Sequence, residues 1–391
     1  HPLAEAAAHD AVAAAGAGAT TTGGGNGERP AALRVPPGWL DAPATDLARL
    51  LELEAKPADG PSGGLFAPGA PFPVIPGTTP ETPLSPTAVR TLLECPHRFL
   101  LEILLRWEDP GAPPSGLDLD ALTFGSLVHR IAERFARRHG ADFGARRRDL
   151  EHWKAVAGAL AKEEFEALLE EYPLAGPDVR AQQLKRLLSA VISFVQYDWN
   201  EGAPRTFFDV ERSFGYPGPD GQPAPFELRP GEHALYLHGR IDRIDVEGRT
   251  TLLRDLKTGS AHPRARREAR PLPKLDVQLA LYGLAAERLA KAWGIPPRVE
   301  VAYAYVERHP AVERAFREDW AELREAALRW LDLAARLLAE RAFPRTPLAE
   351  DCNYCPFAAV CGDAAPGGGR AAEPPASGAA AEYVALRAEE D

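Results

Sequence analysis

Acidic and basic side chains with the spacing of a metal-dependent phosphodiesterase site lie on two strand-like segments, GRIDRIDV and LLRDLKTG. Asp242 lies on the first segment, and Asp255 and Lys257 lie on the second. Because side chains alternate along a strand, Asp255 and Lys257 share one face, and Leu256 points into the core. Carboxylates on neighbouring strands hold hard cations such as Mg²⁺, whose bound water can be deprotonated for attack. The lysine would orient that water or stabilise the phosphate.

The structural alternative is that the Asp-x-Lys pair is a weak ion pair on a solvated surface. Lysine is scarce in this arginine-rich chain, so a generic cation at position 257 would more often be arginine. Asp242, Asp245 and Asp255 also alternate with apolar residues, where an unpaired carboxylate is costly and a bound metal would remove the cost. Both features favour a functional site.

The cysteines form the second informative pattern. Three fall in a C-x2-C-x5-C cluster, and the fourth lies far upstream; they are Cys95, Cys352, Cys355 and Cys361. In a cytoplasmic chain this arrangement favours a tetrathiolate metal site over two disulfides. The spacing alone fits zinc or an iron–sulfur cluster, and unrelated core cysteines are the third interpretation. Either metal would tie the C-terminal extension to the first helix.

Composition excludes several classes of protein. A net charge of -11 argues against a protein that coats nucleic acid nonspecifically, although a narrow basic groove remains compatible with it. The arginines that could line such a groove are Arg137, Arg138, Arg146, Arg147, Arg148, Arg264, Arg266, Arg267 and Arg270.

No apolar run has the length of a membrane-spanning helix, and the first residues lack the pattern of a signal peptide, so we expect a cytoplasmic protein without membrane contact. No G-x-x-x-x-G-K-[ST] phosphate loop occurs, so we do not expect ATP hydrolysis by this chain alone.

The order of the elements predicts an α/β fold. Residues 1–84 are rich in Ala, Gly and Pro and are predicted to be a flexible lead-in, and residues 364–391 a disordered tail with at most a short terminal helix. Between them, helices are predicted from Ser85 with a break at Pro96, and over about 121–139, 149–171, 177–200, 275–292 and 318–341. Strands are predicted over 206–214, 233–247, 250–257 and 299–307, which gives a mixed sheet flanked by helices. The chain begins with His and contains no Met, so we expect the C-terminal part of a longer product or a processed form.

With these motifs the sequence resembles the RecB-like branch of the PD-(D/E)xK nucleases. Its iron–sulfur members are the most similar: the nuclease domain of the AddB subunit of bacterial helicase-nucleases and, as second choice, the CRISPR adaptation nuclease. The resemblance covers about residues 85–365 and rests on five motifs in the family's order. The matching positions are Gly125, His129 and Glu133 in GSLVHRIAERF; Gly239 and Asp242 in GRID; Asp255 and Lys257 in DLKTG; Gln278 and Tyr282 in QLALY; and the four cysteines.

The resemblance implies a fold, a reaction and cofactors. The fold would be a restriction-endonuclease-like core over residues 85–363, with a helical insertion and a cysteine-tied C-terminal extension. Mg²⁺ or Mn²⁺ would be held by His129, Asp242, Asp255 and the Leu256 carbonyl, Lys257 would activate water, and Gln278 and Tyr282 would support the site or contact phosphate. Cys95, Cys352, Cys355 and Cys361 would hold a 4Fe-4S cluster.

The implied function is hydrolysis of DNA phosphodiesters. We expect the nuclease part of a helicase-nuclease subunit in double-strand break repair, with DNA and a RecB-like subunit as partners. The alternatives are a CRISPR adaptation nuclease and a non-catalytic DNA-binding scaffold whose cluster only holds the fold. The complete Asp, Asp and Lys set favours an enzyme.

Overall fold

The computed structural model describes nine segments of the chain. They are residues 73–107, 116–201, 205–217, 224–258, 277–306, 312–315, 320–353, 355–361 and 377–388. The arginines at positions 264, 266, 267 and 270 lie outside the described residues.

A mixed five-stranded sheet organises the protein. The strands are β1 (Arg205–Phe214), β2 (Phe226–Leu228), β3 (Leu235–Leu237), β4 (Gly239–Glu247), β5 (Thr250–Lys257), β6 (Arg298–Tyr305) and β7 (Val312–Ala315). The order across the main sheet is β1-β4-β5-β6-β7, and β2 pairs with β3 in a separate two-stranded sheet. Only the β5–β6 pairing is parallel; the other pairings are antiparallel. This topology confirms the predicted fold class.

Helices flank the sheet. They are α1 (Pro86–Glu94), α2 (Pro96–Phe99), a π-helical turn (Leu100–Leu104), α3 (Ala121–Gly144), α4 (Leu150–Glu171), α5 (Gly176–Glu201), α6 (Val277–Trp293), α7 (Trp320–Ala339), a 3-10 turn (Ala349–Cys352), α8 (Ala358–Cys361) and α9 (Gly378–Ala388). Each helix and strand predicted from the sequence occurs, although the predicted strand 233–247 is divided into β3 and β4 at His238.

Local sequence signals explain where the first helices begin. The side chain of Ser85 accepts a hydrogen bond from the Ala88 backbone N–H at 3.1 Å, which satisfies one of the free donors at the start of α1. Asp120 and Asp149 cap α3 and α4 in the same way. Pro96 cannot donate a backbone hydrogen bond within a continuing helix, so the chain breaks at Cys95 and restarts as α2.

Two apolar clusters hold the elements together. The larger joins α1, α6, α7 and α9 to the sheet through residues such as Ile241 and Leu253. The smaller joins α3, α4 and α5, and includes Leu256 and Val306. The strands that carry the acidic motifs are therefore packed by both clusters, and burial of this apolar area is the main stabilising contribution.

The two ends of the described fold compare differently with the prediction. Part of the predicted flexible lead-in is built into the fold, because Leu84 is buried, its N–H donates to the Tyr236 carbonyl, and it bridges to Leu237. The short terminal helix that the predicted tail allowed occurs as α9, whose Tyr383 is fully buried and donates its hydroxyl hydrogen to the Glu94 carbonyl at 2.8 Å. Burial of apolar and aromatic groups outweighs the weak local pattern of these Ala- and Pro-rich segments.

Within the described residues, no helix combines the length and apolar character that a membrane crossing requires.

Candidate active site

Helix α3 brings His129 to the end of strand β5. Gly125, one turn earlier, faces Thr258 just beyond β5, and a Cβ at that glycine would lie only 3.2 Å from the threonine hydroxyl oxygen. The close approach of helix and strand lets the His129 Nε2 come within 3.1 Å of the Leu256 carbonyl oxygen. The glycine of this motif therefore has a packing role, and the histidine four residues later enters the site.

Strand β4 holds Asp242 against β5. The Leu256 backbone N–H donates a hydrogen bond to the Asp242 Oδ2 at 2.8 Å, and the same oxygen lies 3.5 Å from the His129 Nδ1. Gly239 begins this strand, where a Cβ would lie 2.5 Å from the ring of Phe214 on the neighbouring strand. His129, Asp242 and the main chain of Leu256 thus meet at one point.

A possible metal-ligand group lies at this point. Among the described residues, one group of three potential ligands has its ligand atoms all within 4.8 Å of one another: His129, Glu211 and Asp242. A small cavity lies beside them, and its wall includes the Leu256 and Glu133 side chains. Oxygen and imidazole ligands of this kind suit a divalent cation such as Mg²⁺ or Mn²⁺.

Lys257 and Asp255 form a second cluster on the other side of Leu256. The Lys257 Nζ lies 2.6 Å from the Asp255 Oδ2. Gln278 joins the two, because its Oε1 accepts from Lys257 at 3.2 Å and its Nε2 donates to the Asp255 Oδ1 at 2.9 Å. The same amide nitrogen lies 3.1 Å from the hydroxyl oxygen of the buried Tyr282. Helix α6 therefore fixes both charged groups of β5.

Burial controls the protonation of the group. It raises the pKa of Asp242 well above its usual range, and the nearby charge of Asp255 raises it further. Burial also lowers the pKa of His129, which favours the neutral imidazole that ligates metals. Glu211 is affected in the same direction as Asp242, because burial raises the pKa of its carboxyl group. A divalent cation would offset the cost of ionising these acids.

Two comparisons with known proteins give a match. A family model described as the PD-(D/E)XK nuclease superfamily matches residues 83–362, which is more than half of the chain. The chain belongs to the PD-(D/E)XK nuclease superfamily. Fourteen chains of solved structures also match; one, titled "Crystal structure of SSO0001", shares 16% identity, with 61% of this chain and 84% of that chain covered and a TM-score of 0.22. A search of curated proteins finds no match.

In this PD-(D/E)XK protein the predicted site residues do not all share one contact. His129, Asp242 and the Leu256 carbonyl meet directly, and Asp255, Lys257, Gln278 and Tyr282 form the adjoining cluster. Asp255 is outside the group of three that could hold a metal, because its carboxylate is engaged by Lys257 and Gln278. Tyr282 is buried with its hydroxyl group toward Gln278, which is a supporting position.

Two nearby acids have other environments. Glu133, the acid of the helix motif, accepts a hydrogen bond from the Arg137 Nε at 3.0 Å. Asp245, grouped with the site acids in the sequence, is fully buried and paired with Arg243 and Arg254. Arg243, two residues earlier on the same strand, and Arg254 on β5 compensate the charge of Asp245, so its burial does not require the bound metal that the sequence argument invoked.

Glu211 is the residue that sequence reasoning missed. It lies on β1, outside every motif, in the segment RTFFDVERSF. The only sequence signal was the predicted strand itself, and a strand prediction does not specify which side chain faces β4. Its position depends on the register of β1, which the chain does not reveal without its partner strand.

The cysteine segments approach one another at the C-terminal side of the nuclease. The charges of Cys361 and Cys355 would add to the effect of burial, which raises the pKa of the Cys95 thiol to about 11. The His97 N–H donates to the Pro344 carbonyl at 3.1 Å, which ties α2 to the segment that precedes the cluster. Among the described residues, no three cysteine sulfurs lie within 4.8 Å of one another.

Proposed function

We propose that this PD-(D/E)XK protein is a divalent-metal-dependent deoxyribonuclease. The observation that carries the proposal is the continuous arrangement from the His129, Glu211 and Asp242 group, through the Leu256 main chain, to the paired Asp255 and Lys257. In this arrangement acidic side chains and one ammonium group lie at the same end of β5. Hydrolysis of a phosphodiester needs both: a site for a cation and a positive group for the developing charge.

The residues fit a divalent cation on chemical grounds. Asp242 is only 12% exposed, and its described contacts are a backbone N–H and the His129 ring, without a lysine or arginine within ion-pair distance. Ionising a buried carboxylate in that setting is costly. His129, Asp242, Asp255 and the Leu256 carbonyl would hold Mg²⁺ or Mn²⁺. The cation would supply an acidic bound water and neutralise phosphate oxygens.

Lys257 would act on the attacking water or on the phosphate. Its side chain is 27% exposed, so the ammonium group reaches the surface of the site while Asp255 beside it stays buried. Gln278 holds the amine from the helix side, and the Tyr303 ring lies 5.2 Å from the Nζ. These contacts restrict the lysine to one place, which lowers the entropic cost of positioning it for reaction.

The substrate and partners of the proposal follow from the family resemblance. We expect cleavage with little base preference, since contacts to phosphate position a nucleic acid and carry no sequence information. The protein would act in the cytoplasm as the nuclease part of a RecB-like helicase-nuclease assembly in double-strand break repair. A CRISPR adaptation role is the alternative from the same resemblance.

The direct test is a cleavage assay on end-labelled single- and double-stranded DNA, with Mg²⁺ or with a chelator. The full chain should cleave only with the metal, and Asp255→Ala should be inactive with unchanged melting in chelator. Metal-independent cleavage, or full activity of Asp255→Ala, would contradict the proposal. Binding of DNA without any cleavage by the wild-type protein would favour the scaffold alternative.

The four cysteines would hold a 4Fe-4S cluster. The Arg98 backbone N–H donates to the Cys95 Sγ at 3.4 Å, and the Thr346 backbone also hydrogen-bonds to this sulfur. Such donors stabilise a thiolate ligand and tune iron–sulfur clusters.

Metal analysis of the anaerobically purified protein tests the cluster. A brown protein with iron and acid-labile sulfide in equal amounts is expected, and Cys95→Ser should lose both. Asp255→Ala is the matched control and should keep them, because it alters the nuclease site alone. A colourless protein with stoichiometric zinc would reject the cluster.

A further inference from the structure

Glu211 lies opposite Asp242 because of an irregularity in strand β1. Arg205–Phe207 pair with Glu247–Asp245, and the register then shifts by one residue between Phe207 and Asp209. Beyond the shift, Val210 pairs with Arg243 and Arg212 with Ile241, so position 211 faces position 242. Because a shift of one residue exchanges the two faces of a strand, the bulge turns the Glu211 carboxylate toward Asp242.

The backbone at Glu211 is strained. Its φ is 52°, in the left-handed region that non-glycine residues adopt only at a cost. Such strain persists where the surrounding structure enforces it, and it is concentrated at functional sites. Only a few residues of the described chain share this conformation, and Glu211 is the one that lies within a strand of the main sheet.

The ion-pair partner described for the Glu211 side chain is an exposed arginine. Its carboxylate is 10% exposed and its Oε2 lies 2.6 Å from the Nε of Arg240, whose side chain is 62% exposed. An exposed arginine can leave an ion pair with little desolvation cost, since both the paired and the free guanidinium group are in contact with water. A cation that binds at His129 and Asp242 would compete with Arg240 for this carboxylate.

From the bulge, the strain and the ligand distances we infer that Glu211 is a ligand of the divalent cation, together with His129 and Asp242, and that Arg240 is its counter-ion in the metal-free protein. The three ligand atoms lie within 4.8 Å of one another, so a cation between them needs little movement of the side chains. The inference rests on the proposed function in one respect, the position of the metal. It adds to the ligands one acidic residue that lies outside the family's motifs.

The alternative is that Glu211 only pairs with Arg240 and fixes the edge of the sheet. The two readings differ in the effect of Arg240. If Glu211 is a ligand, removing Arg240 frees the carboxylate and should strengthen metal binding. If Glu211 serves only the ion pair, neither residue should affect metal binding.

The test is Mn²⁺ binding to the full chain without DNA, measured by calorimetry and by the electron paramagnetic resonance signal of free Mn²⁺. Glu211→Gln should weaken binding by about tenfold or more, as expected when a ligand is lost. Asp209→Asn is the matched control: it removes an acid from the same strand that also pairs with an arginine, Arg212, and it should leave Mn²⁺ affinity within about twofold of the wild-type value.

Arg240→Met tests the same inference without touching the ligands, and it serves if Glu211→Gln does not fold. Tighter Mn²⁺ binding in Arg240→Met supports the inference, and weaker binding overturns it. Unchanged affinity in Glu211→Gln also overturns it while leaving the proposed nuclease intact. A wild-type protein that binds no Mn²⁺ at all, yet cleaves DNA with Mg²⁺, would overturn the ligand assignment; failure of both binding and cleavage would remove the proposed function as well.

Discussion

Two clusters of charged residues on strands β4 and β5 differ in whether their acidic side chains are paired with basic ones. One cluster, which we call the buried quartet, consists of Asp198 on α5, Arg243 and Asp245 on β4, and Arg254 on β5. Its two acids and two bases are matched: Arg254 contacts Asp198 at 2.7 Å and Asp245 at 3.3 Å, and Arg243 contacts Asp245 at 3.0 Å and also Asp198. The other cluster is the candidate active site, which begins at Asp242, one residue before Arg243 on β4, and at Asp255, one residue after Arg254 on β5.

The difference lies in charge compensation. In the quartet, burial opposes ionisation of Asp198, but the charges of Arg243 and Arg254 outweigh it and lower the pKa. In the candidate site, no described lysine or arginine lies within ion-pair distance of Asp242, and burial together with the charge of Asp255 raises its pKa. Neighbouring positions on the β4–β5 hairpin thus carry two kinds of acid. Asp245 is paired with arginines, whereas Asp242 is buried without a described cationic partner. A shortage of this kind is what a site for a divalent cation requires.

The largest expected effect comes from breaking the quartet. Arg254→Met should lower the free energy of unfolding by about 3–5 kcal/mol, because it leaves two buried carboxylates to share the single remaining arginine of the quartet, Arg243. Arg254 is fully buried, so water cannot replace the lost contacts. Urea unfolding of the variant and the wild-type protein measures the difference.

A surface arginine provides the control for this prediction. Arg229 pairs with Glu227 while 59% exposed, and Arg229→Met should change stability by less than about 1 kcal/mol. Equal effects of the two substitutions would mean that the quartet contributes no more than an exposed ion pair.

The next largest effect falls mainly on activity. Lys257→Met should lower the rate of DNA cleavage by about 10²–10³-fold, the usual consequence of removing one group that stabilises transition-state charge. Its loss also removes an ion pair from the buried Asp255, but because Lys257 is 27% exposed the fold should be destabilised less than by Arg254→Met. Cleavage assays with Mg²⁺ measure the loss of activity, and melting curves in chelator measure the loss of stability. A strongly destabilised variant with intact activity would contradict the assignment of Lys257 to the reaction.

A pH series sharpens the contrast between the two acids. A raised pKa means that Asp242 binds a proton more tightly in the folded protein than in the unfolded chain. The free energy of unfolding therefore falls as pH rises above the ordinary pKa of 3.8, because ionising Asp242 is harder in the folded state. Asp198 has a lowered pKa, so its contribution is complete above that value and is lost only as pH falls below it. In chelator, Asp242→Asn should therefore exceed the wild-type stability by about 1 kcal/mol or more near neutral pH and lose this advantage near pH 4.

Melting temperatures across this pH range, with and without Mn²⁺, provide the measurement. Adding Mn²⁺ should stabilise the wild-type protein and not Asp242→Asn, since a ligand that binds only the folded state raises its stability. A constant offset between the two proteins at every pH would show that Asp242 carries no uncompensated charge.

The sequence predicted the parts of the site that lie within motifs. Period-two spacing correctly placed Leu256 in the core between Asp255 and Lys257, and the four-residue spacing of Gln278 and Tyr282 matched one helical face. The predicted mixed sheet flanked by helices was also confirmed. Local periodicity was sufficient here because each of these features depends on neighbours in sequence.

The features that escaped prediction depend on contacts between distant segments. Glu211 faces the site because of a bulge in β1, and Asp198 joins the quartet from a helix 45 residues before Arg243. At most a short terminal helix was predicted in the tail, and nothing in its Ala-rich pattern indicated that the helix packs, yet Tyr383 and Arg387 of α9 are buried against the main body. Arg387 pairs with Asp351 at 2.6 Å, a contact that no local pattern reports.

The smallest expected effect tests whether Tyr282 belongs to the chemistry or to the support. Its hydroxyl group lies against the Gln278 amide, away from the surface, with only 5% of the residue exposed. Tyr282→Phe should therefore lower cleavage by only a few-fold and stability by about 1 kcal/mol, the usual net value of one hydrogen bond.

Gln278→Leu should cost more than Tyr282→Phe, because Gln278 contacts Lys257 and Asp255 at once. Cleavage rates for the two variants and the double variant decide the question. If Tyr282 acts only through Gln278, the double variant should match Gln278→Leu alone, since the effects of residues in one hydrogen-bonded chain are not additive. A further loss in the double variant would assign Tyr282 a contact of its own with the substrate, and the supporting cluster would then extend to the DNA backbone.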